Sequence, residues 1–328
     1  MTQPSHQAPP PSPNAAPGAL RTLAYTTLFP NDRQPGHGIF IEHRLRRQLE
    51  GGLVHPRVVA PVPWFPSRHP RFGRYAEWAQ VCRRESRFGL EVSHPRYPTI
   101  PRVGMHIAPS LLALATWRHT AGVARAAQSQ LLDAHYLYPD GVAAAWLANR
   151  LRLPLVLSAR GSDANVLTEF PLPRRMIVAA TRRASAVVCV SDALRNRLSD
   201  IGVADDKLLV LRNGVDLDGF APMARDAARL ATGIRGRSLL CVGNLLEAKG
   251  HHLVIEALQQ LPDDVSLTIV GAGPFEKHLR ELADRLAVAS RVHFAGRRPQ
   301  SELRAFYSAT DIFVLASQRE GLPNVVLE

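Results

Sequence analysis

The last stretch of the chain carries two carboxylates, Glu320 and Glu328, with Gly321-Leu322-Pro323-Asn324 directly after the first. They follow an apolar run, Asp311 to Ala316, that reads as a buried strand. Gly321 and Pro323 break that pattern, and Pro323 suits the first turn of a helix, where the amide it lacks would be unpaired anyway. A strand, a tight loop and a helix start therefore follow one another. Such a helix start offers free backbone N–H groups and the positive end of a dipole, which favours an anion. Carboxylates beside an anion-binding turn suit a ligand that carries hydroxyls next to phosphate. The same stretch also reads as a surface loop with a solvated Glu at each end.

Two earlier stretches repeat the strand, loop and helix order. Ser238-Leu239-Leu240-Cys241-Val242-Gly243-Asn244-Leu245-Leu246-Glu247-Ala248-Lys249-Gly250 leads into a helix over His251 to Gln260. Leu267-Thr268-Ile269-Val270-Gly271-Ala272-Gly273-Pro274 is again a strand with a glycine turn. Val-Gly-x-Leu-x-x-x-Lys-Gly, Val-Gly-x-Gly-Pro and the closing Glu-x7-Glu, in that order, resemble the donor domain of a family 4 glycosyltransferase of the GT-B type. The resemblance extends from about residue 20 to the end.

It implies an α/β protein with two Rossmann-like doubly wound domains facing a central cleft, the second incomplete. It further implies a retaining transferase that moves a sugar from a nucleotide-diphosphate donor to a hydroxyl of a glycan or lipid-linked acceptor, in cell-surface polysaccharide assembly. The catalytic candidates are then His135, Lys249 and Glu320. Lys249 would lie on the diphosphate, Glu320 and His135 on the transferred sugar, and Glu328 on the ribose. Gly36, Gly38, Gly243, Asn244, Gly271, Gly273, Arg297, Gly321, Leu322, Pro323 and Asn324 complete the expected donor site. The family usually has Arg where this chain has Asn244. Asn supplies neither the charge nor the two-pronged donor of a guanidinium, so diphosphate binding leans on Lys249 and on an Arg from the first domain. The co-substrate is the nucleotide-sugar, with no cofactor and no metal expected. Asp216-Leu217-Asp218 has the spacing of a metal-binding pair but no accompanying ligands, and reads as structural.

The elements that must position these groups alternate along the chain. Arg21 to Phe29, Val54 to Val62, Leu131 to Tyr136, Leu155 to Ala159, Ala186 to Val190 and Leu208 to Leu211 read as strands of a first domain. Leu239–Val242, Leu267–Val270, Val292–Ala295 and Ile312–Leu315 read as strands of a second. Strands alternating with helices make a parallel sheet covered on both faces, with ligands at the carboxyl ends of the strands. Gly36 and Gly38 lie in such a loop, before a helix from about Phe40 to Leu49, and would let backbone approach a ligand. His135 ends a strand before the helix that Pro139-Asp140-Gly141 opens. Arg160 and Asp163 follow the next strand, where they suit an acceptor or a phosphate, or simply bond their own loop. Residues 63–105 mix Trp64, Phe65, Trp78 and Tyr97 with Arg and Pro, which fits packing on their own domain or contact with a lipid head group or acceptor sugar. Met105 to Gln128 reads as a helix whose Leu111, Leu112 and Leu114 face the core.

The chain has 328 residues, enough for two domains. The expected division is a Pro-rich disordered tail over 1–18, an acceptor-side domain over 19–213, a linker over 214–235 and a nucleotide-sugar domain over 236–328. Three cysteines, Cys82, Cys189 and Cys241, make no disulfide framework or metal cluster, as suits a reducing cytoplasm. No apolar run reaches the roughly 20 residues of a membrane span, and the first residues do not read as a secretory signal. Residues 1–235 hold 30 Lys and Arg against 17 Asp and Glu, a net of +13; the remainder hold 10 and 11, a net of −1. The excess, nearly all Arg, fits a solvated surface or attraction to an anionic membrane from the cytoplasmic side or to a phosphorylated acceptor. Nucleic acid is not expected, since no recognised binding motif accompanies the charge.

Other classes fit less well. A nicotinamide dehydrogenase would need a glycine where Glu276 stands and an acid at the end of the strand that closes in Ala295-Gly296-Arg297. A GT-B sugar-nucleotide epimerase shares the scaffold, and a non-catalytic glycan- or membrane-binding protein remains open. The sequence reaches Glu328 within two turns of the helix opened at Pro323, whereas the family continues with another βα unit and a helix that returns to the first domain. The expectation is weak or absent transferase activity for these 328 residues, a frayed Glu328 and exposed apolar surface near Val325 and Leu327.

Overall fold

The computed structural model describes residues 18–100 and 104–328; the expected tail, apart from Gly18, lies outside them. Two compact units divide the chain, residues 1–212 and 213–328.

The first unit is built on strands β1 (Leu20–Tyr25), β2 (Val54–Val59), β3 (Val62–Pro63), β4 (Arg84–Arg87), β5 (Leu90–Ser93), β6 (Arg96–Tyr97), β7 (Leu131–His135), β8 (Leu155–Ala159), β9 (Ala186–Cys189) and β10 (Leu208–Val210). Its helices are α1 (Ile39–Glu50), α2 (Arg74–Gln80), α3 (Ala108–Ala126), α4 (Val142–Leu151), α5 (Ser162–Asn165), α6 (Pro171–Arg183) and α7 (Asp192–Asp200). Eight strands form one sheet in the order β10-β9-β8-β7-β1-β2-β5-β4, while β3 and β6 pair separately. All its neighbours run parallel except β4, which is antiparallel to β5. The central strands read as continuous apolar runs because both faces are covered. On one face Ala24, Val58, Ala60, Leu90 and Val92 bury against Ile41 and Leu45 of α1.

The described part of residues 63–105 packs on its own unit, one of the two readings the sequence left open. The β4–β5 hairpin extends the sheet, while Phe65, Phe72, Tyr75 and Trp78 pack as a chain of rings with centroids 5.1–5.3 Å apart. Arg71 and Arg74 lie over these rings, and Trp64 stays exposed. One correction concerns α3. Leu112 is in the core, but Leu111 is half-buried and Leu114 is 65% exposed. The buried face of α3 runs through Leu112, Thr116 and Thr120, a helical spacing that leaves Leu114 outside.

The second unit has a parallel sheet ordered β13-β12-β11-β14, from β11 (Arg237–Val242), β12 (Val265–Val270), β13 (Val292–Gly296) and β14 (Ile312–Phe313). Helices α8 (Arg225–Thr232), α9 (His251–Leu258), α10 (Glu276–Arg285), α11 (Gln300–Ala309) and α12 (Asn324–Leu327) accompany it. Residues 214–235, expected as a linker, are part of this unit. α8 packs on α11 with Ala228 wholly buried, and Arg229 Nε donates to the Ala309 carbonyl at 3.2 Å. Leu239, Cys241, Leu267 and Ile269 form the core with α9 and α10, and Leu240, Val242 and Val270 with α8 and α11. Burial pushes the thiols of Cys189 and Cys241 up to about 12, leaving both protonated and inert.

Candidate active site

In the second unit the loops at the carboxyl ends of β11, β12, β13 and β14 are tied to one another by backbone. Gly243 N donates to Val270 O, Gly271 N to Gly296 O, Leu245 N to Ala272 O and Gln318 N to Ala248 O, all at 2.9–3.1 Å. The glycines are what permit this. A Cβ at Gly271 would sit 1.8 Å from the Gly243 carbonyl oxygen, and φ there is +151°. A Cβ at Gly250 would lie 2.0 Å from the Ala316 carbonyl oxygen, with φ at +70°. Gly273 is similarly pressed on Leu245, at 2.3 Å. A Cβ at Gly243 meets only ordinary contacts with His251, so that loop has room above it.

Lys249 stands on a tight turn, Glu247–Lys249, just before α9. The clamp between Gly250 and Ala316 brings it beside the loop after β14, and its Nζ donates to Glu320 Oε1 at 2.6 Å. The two candidates named for diphosphate and for sugar thus meet each other. Both are partly exposed, at 31% and 23% of their side chains, so the pair faces solvent on one side. His251, next to Gly250, is buried, and its imidazole is pulled down to about 4 by burial, then by Lys249 and His252. It is neutral at physiological pH and adds no charge to the crevice.

Asn244 and Arg297 are exposed at the ends of β11 and β13. Gly321, Leu322 and Pro323 form a half-buried loop, and Pro323 precedes α12 rather than opening it. Asn324 Oδ1 accepts from Asn213 Nδ2 at 2.9 Å. Glu328 is held rather than frayed. Its carboxylate accepts from Gln300 Nε2 at 2.7 Å and from the Tyr307 hydroxyl at 3.1 Å. Val325 packs on the core beside α8 and α11, while Val326 and Leu327 are exposed.

In the first unit the carboxyl ends of β1, β7 and β8 hold a buried polar cluster. His135 is fully buried. Arg160 Nη2 lies 2.9 Å from His135 Nδ1, and a guanidinium can only donate, so Nδ1 accepts. The ring proton is then on Nε2, which faces Asp133 Oδ2 at 3.5 Å. Burial, then Arg160 and Arg44, holds the imidazole well below its usual range, so it is neutral. His135, expected on the transferred sugar, thus has no exposed surface; its Nδ1 is engaged by Arg160, and its Nε2 has no hydrogen-bond partner among the described residues. Arg160 is braced on its other side by the Phe40 ring, 5.6 Å away. Burial lowers its guanidinium to about 10, still a cation at neutral pH.

Asp163 takes the second of the roles the sequence left open. It is buried and accepts from the backbone amides of Leu137 and Gly161, both at 2.8 Å, and of Arg160 at 3.0 Å. Its carboxylate fixes its own loop against the turn after β7. Asp140, not among the sequence candidates, does the same for the end of β1. It accepts from Thr27 N at 2.6 Å and Thr27 Oγ1 at 3.0 Å, and burial raises it to about 7. Gly38 caps α1 in the left-handed region, pressed against the Leu28 carbonyl, and Gly36 lies in the turn before it. Among the described residues no three His, Cys, Asp or Glu side chains gather as metal ligands, Asp216 and Asp218 included.

Two α/β units of this kind, with parallel sheets and glycine-bounded loops at the strand ends, are those of the GT-B fold. The family described as Glycosyltransferase Family 4 matches residues 80–218, and Glycosyl transferases group 1 matches residues 228–328. The chain belongs to the family 4 glycosyltransferases. It is 28% identical over 322 residues to TuaC of Bacillus subtilis, a protein named for teichuronic acid biosynthesis, covering 94% of this chain and 78% of that one. It is 35% identical over 147 residues to the lipopolysaccharide core biosynthesis glycosyltransferase LpsE of Rhizobium meliloti, covering 45% of this chain and 42% of that one. Similar folds are a sucrose-phosphate synthase from Thermosynechococcus elongatus, with a TM-score of 0.72 at 16% identity, and Anabaena HepE solved with UDP and glucose, at 0.67 and 20%. They cover 94% of this chain, and each is covered over 77% of its own length.

Proposed function

We propose that the protein transfers a sugar, with retention at the anomeric carbon, from a nucleotide-diphosphate donor to a hydroxyl of a glycan or lipid-linked acceptor in cell-surface polysaccharide assembly. The observation that carries this reading is the Lys249–Glu320 pair at the carboxyl ends of β11 and β14. A cation and a carboxylate in contact, both partly open to solvent, match a ligand with diphosphate on one side and sugar hydroxyls on the other. In the reaction the bond from the anomeric carbon to the diphosphate oxygen breaks, leaving its electron pair on the diphosphate. The acceptor oxygen bonds to that carbon, and its proton passes to the departing diphosphate oxygen. Negative charge grows on the leaving oxygens, so Lys249 interacts more strongly in the transition state than before it, which is the condition for catalysis. On this reading Glu320 aligns the sugar hydroxyls, and Glu328 meets the ribose after exchanging its present partners. Arg160 offers its charge to a phosphate or an acidic acceptor. The Arg-rich first unit adds attraction to an anionic membrane surface, with Trp64 and the ring chain over residues 65–78 as its apolar element.

A thermal-shift screen of the full chain against uridine-, guanosine- and adenosine-diphosphate sugars tests the donor class. A ligand at 100 times its Kd stabilises by about 2.7 kcal/mol. Product from the best donor, with the anomeric configuration read by NMR, tests the reaction. Stabilisation by glycans but by no nucleotide-sugar would favour a binding protein. Epimerised sugar-nucleotide formed without acceptor would favour an epimerase.

A further inference from the structure

A pocket lies on the face of the first sheet opposite α1, away from the strand-end loops. Strand alternation decides what lines it. Val58 and Val92 turn to α1, so their neighbours Arg57, Glu91 and Ser93 turn the other way. β4 runs antiparallel with Arg84 opposite Ser93, which puts Arg84 on the same face. The C-terminal half of α3 flanks this surface with Arg118 and His119, and its small Gly122 and Ala126 leave a space of about 620 Å³. That volume falls in the range of small-molecule sites.

The charges in the pocket are unbalanced. Glu91 is paired with Arg57, and Glu85 is already held by His94 and Arg87. The side chains of Arg84 and Arg118 make no hydrogen bond or ion pair with another described residue. Ser93 Oγ donates to the Val58 carbonyl at 3.2 Å, so it accepts from His119 Nε2 at 2.8 Å. Burial, then Arg84, lowers the His119 pKa, which keeps the ring neutral beside uncompensated guanidinium charge. Val123, Ala126 and Ala127 at the end of α3 form an apolar wall facing these donors.

We propose that this pocket is a second binding site, for a sugar or short sugar chain bearing a carboxylate or phosphate. Arg84 and Arg118 hold the anion, Ser93 and His119 take hydroxyls, and the apolar wall covers the ring face. Its residues are separate from the donor crevice, so the proposal does not rest on the donor assignment.

The test is calorimetric and NMR titration of the full chain with glucuronate, glucose 1-phosphate, inorganic phosphate and, as neutral control, glucose. The anionic sugars should bind at least ten times more tightly than glucose, and binding should shift the His119 ring resonances and raise its pKa. Preference between glucuronate and glucose 1-phosphate tells carboxylate from phosphate. Arg84→Gln with Arg118→Gln should weaken binding at least tenfold at an unchanged melting temperature, because both side chains are exposed. Ala126→Phe, which fills the space from an exposed helix position, should block it too. Lys249→Ala should leave it intact. Anion binding that survives both pocket variants, that is lost in Lys249→Ala, or that glucose equals, would overturn the proposal.

Discussion

Lys249 and Glu320 neutralise each other at 2.6 Å, so each controls how much charge the other presents. A nucleoside diphosphate without its sugar needs the lysine and is repelled by the carboxylate. Glu320→Gln should therefore tighten nucleoside-diphosphate binding while lowering transferase turnover. Lys249→Ala should weaken that binding and reduce turnover on the order of 10²–10³-fold, as loss of one preorganised charge contact does. Equilibrium binding and initial rates on both variants check this; a Gln variant that binds the diphosphate more weakly would show that the pair is not opened by the ligand. Asp140 offers a residue-scale test of a different kind. Its pKa is about 7 in the fold, against about 4 for an unperturbed Asp, because burial opposes its charge. The folded state then holds a proton that the unfolded chain has lost, so stability falls as pH rises from about 4 through 7. Asp140→Asn keeps an acceptor for Thr27 N and removes the titration. The wild type should lose melting temperature relative to this variant between pH 5 and pH 8, by about 5 °C. Parallel pH profiles for the two proteins would remove Asp140 as the source.

At the scale of elements, the strand-end loops of the second unit depend on backbone approaching backbone. Gly271→Ala would drive a Cβ into the Gly243 carbonyl at a φ that L-residues avoid, whereas Gly243→Ala meets no clash. Chemical denaturation should show the Gly271 variant destabilised by about 2 kcal/mol or more. The Gly243 variant should be near wild type in stability and altered only in donor affinity. Equal stability of the two would refute the clamp. These turns were legible in the sequence because a glycine that closes an apolar run marks a tight turn out of a strand. That Gly271 is pressed against the Gly243 carbonyl was not legible, since it depends on register between strands. The β4–β5 hairpin was illegible for a related reason. It carries Arg84, Glu85, Arg87 and Glu91 because charge suits a sheet edge, and charged residues look like a loop. Residues 214–235 read as a linker because α8 buries only Ala228 and leaves Arg225, Asp226 and even Leu230 exposed. His135 was legible as a strand-end histidine, but its full burial beneath Arg160 and beside Asp133 comes from packing that no spacing encodes.

The whole molecule is electrically lopsided, with net +13 over residues 1–235 and −1 over the rest. No helix among the described residues is long and apolar enough to cross a membrane. Peripheral binding through charge has a defined signature. Each Arg near an anionic surface contributes about 1 kcal/mol, and that contribution fades within a Debye length, roughly 8 Å at physiological salt. Apolar contact through Trp64, which is 56% exposed, does not fade with salt. The two contributions can therefore be separated on vesicles. Binding should be strong on vesicles rich in phosphatidylserine or phosphatidylglycerol, near zero on phosphatidylcholine alone, and should fall at least tenfold between about 50 and 500 mM salt, as expected of several screened charges. Trp64→Ala should weaken what remains at high salt and leave the salt dependence unchanged. Arg71→Gln with Arg74→Gln should reduce the salt dependence instead. Binding that ignores both lipid charge and salt would return the arginine excess to an ordinary solvated surface.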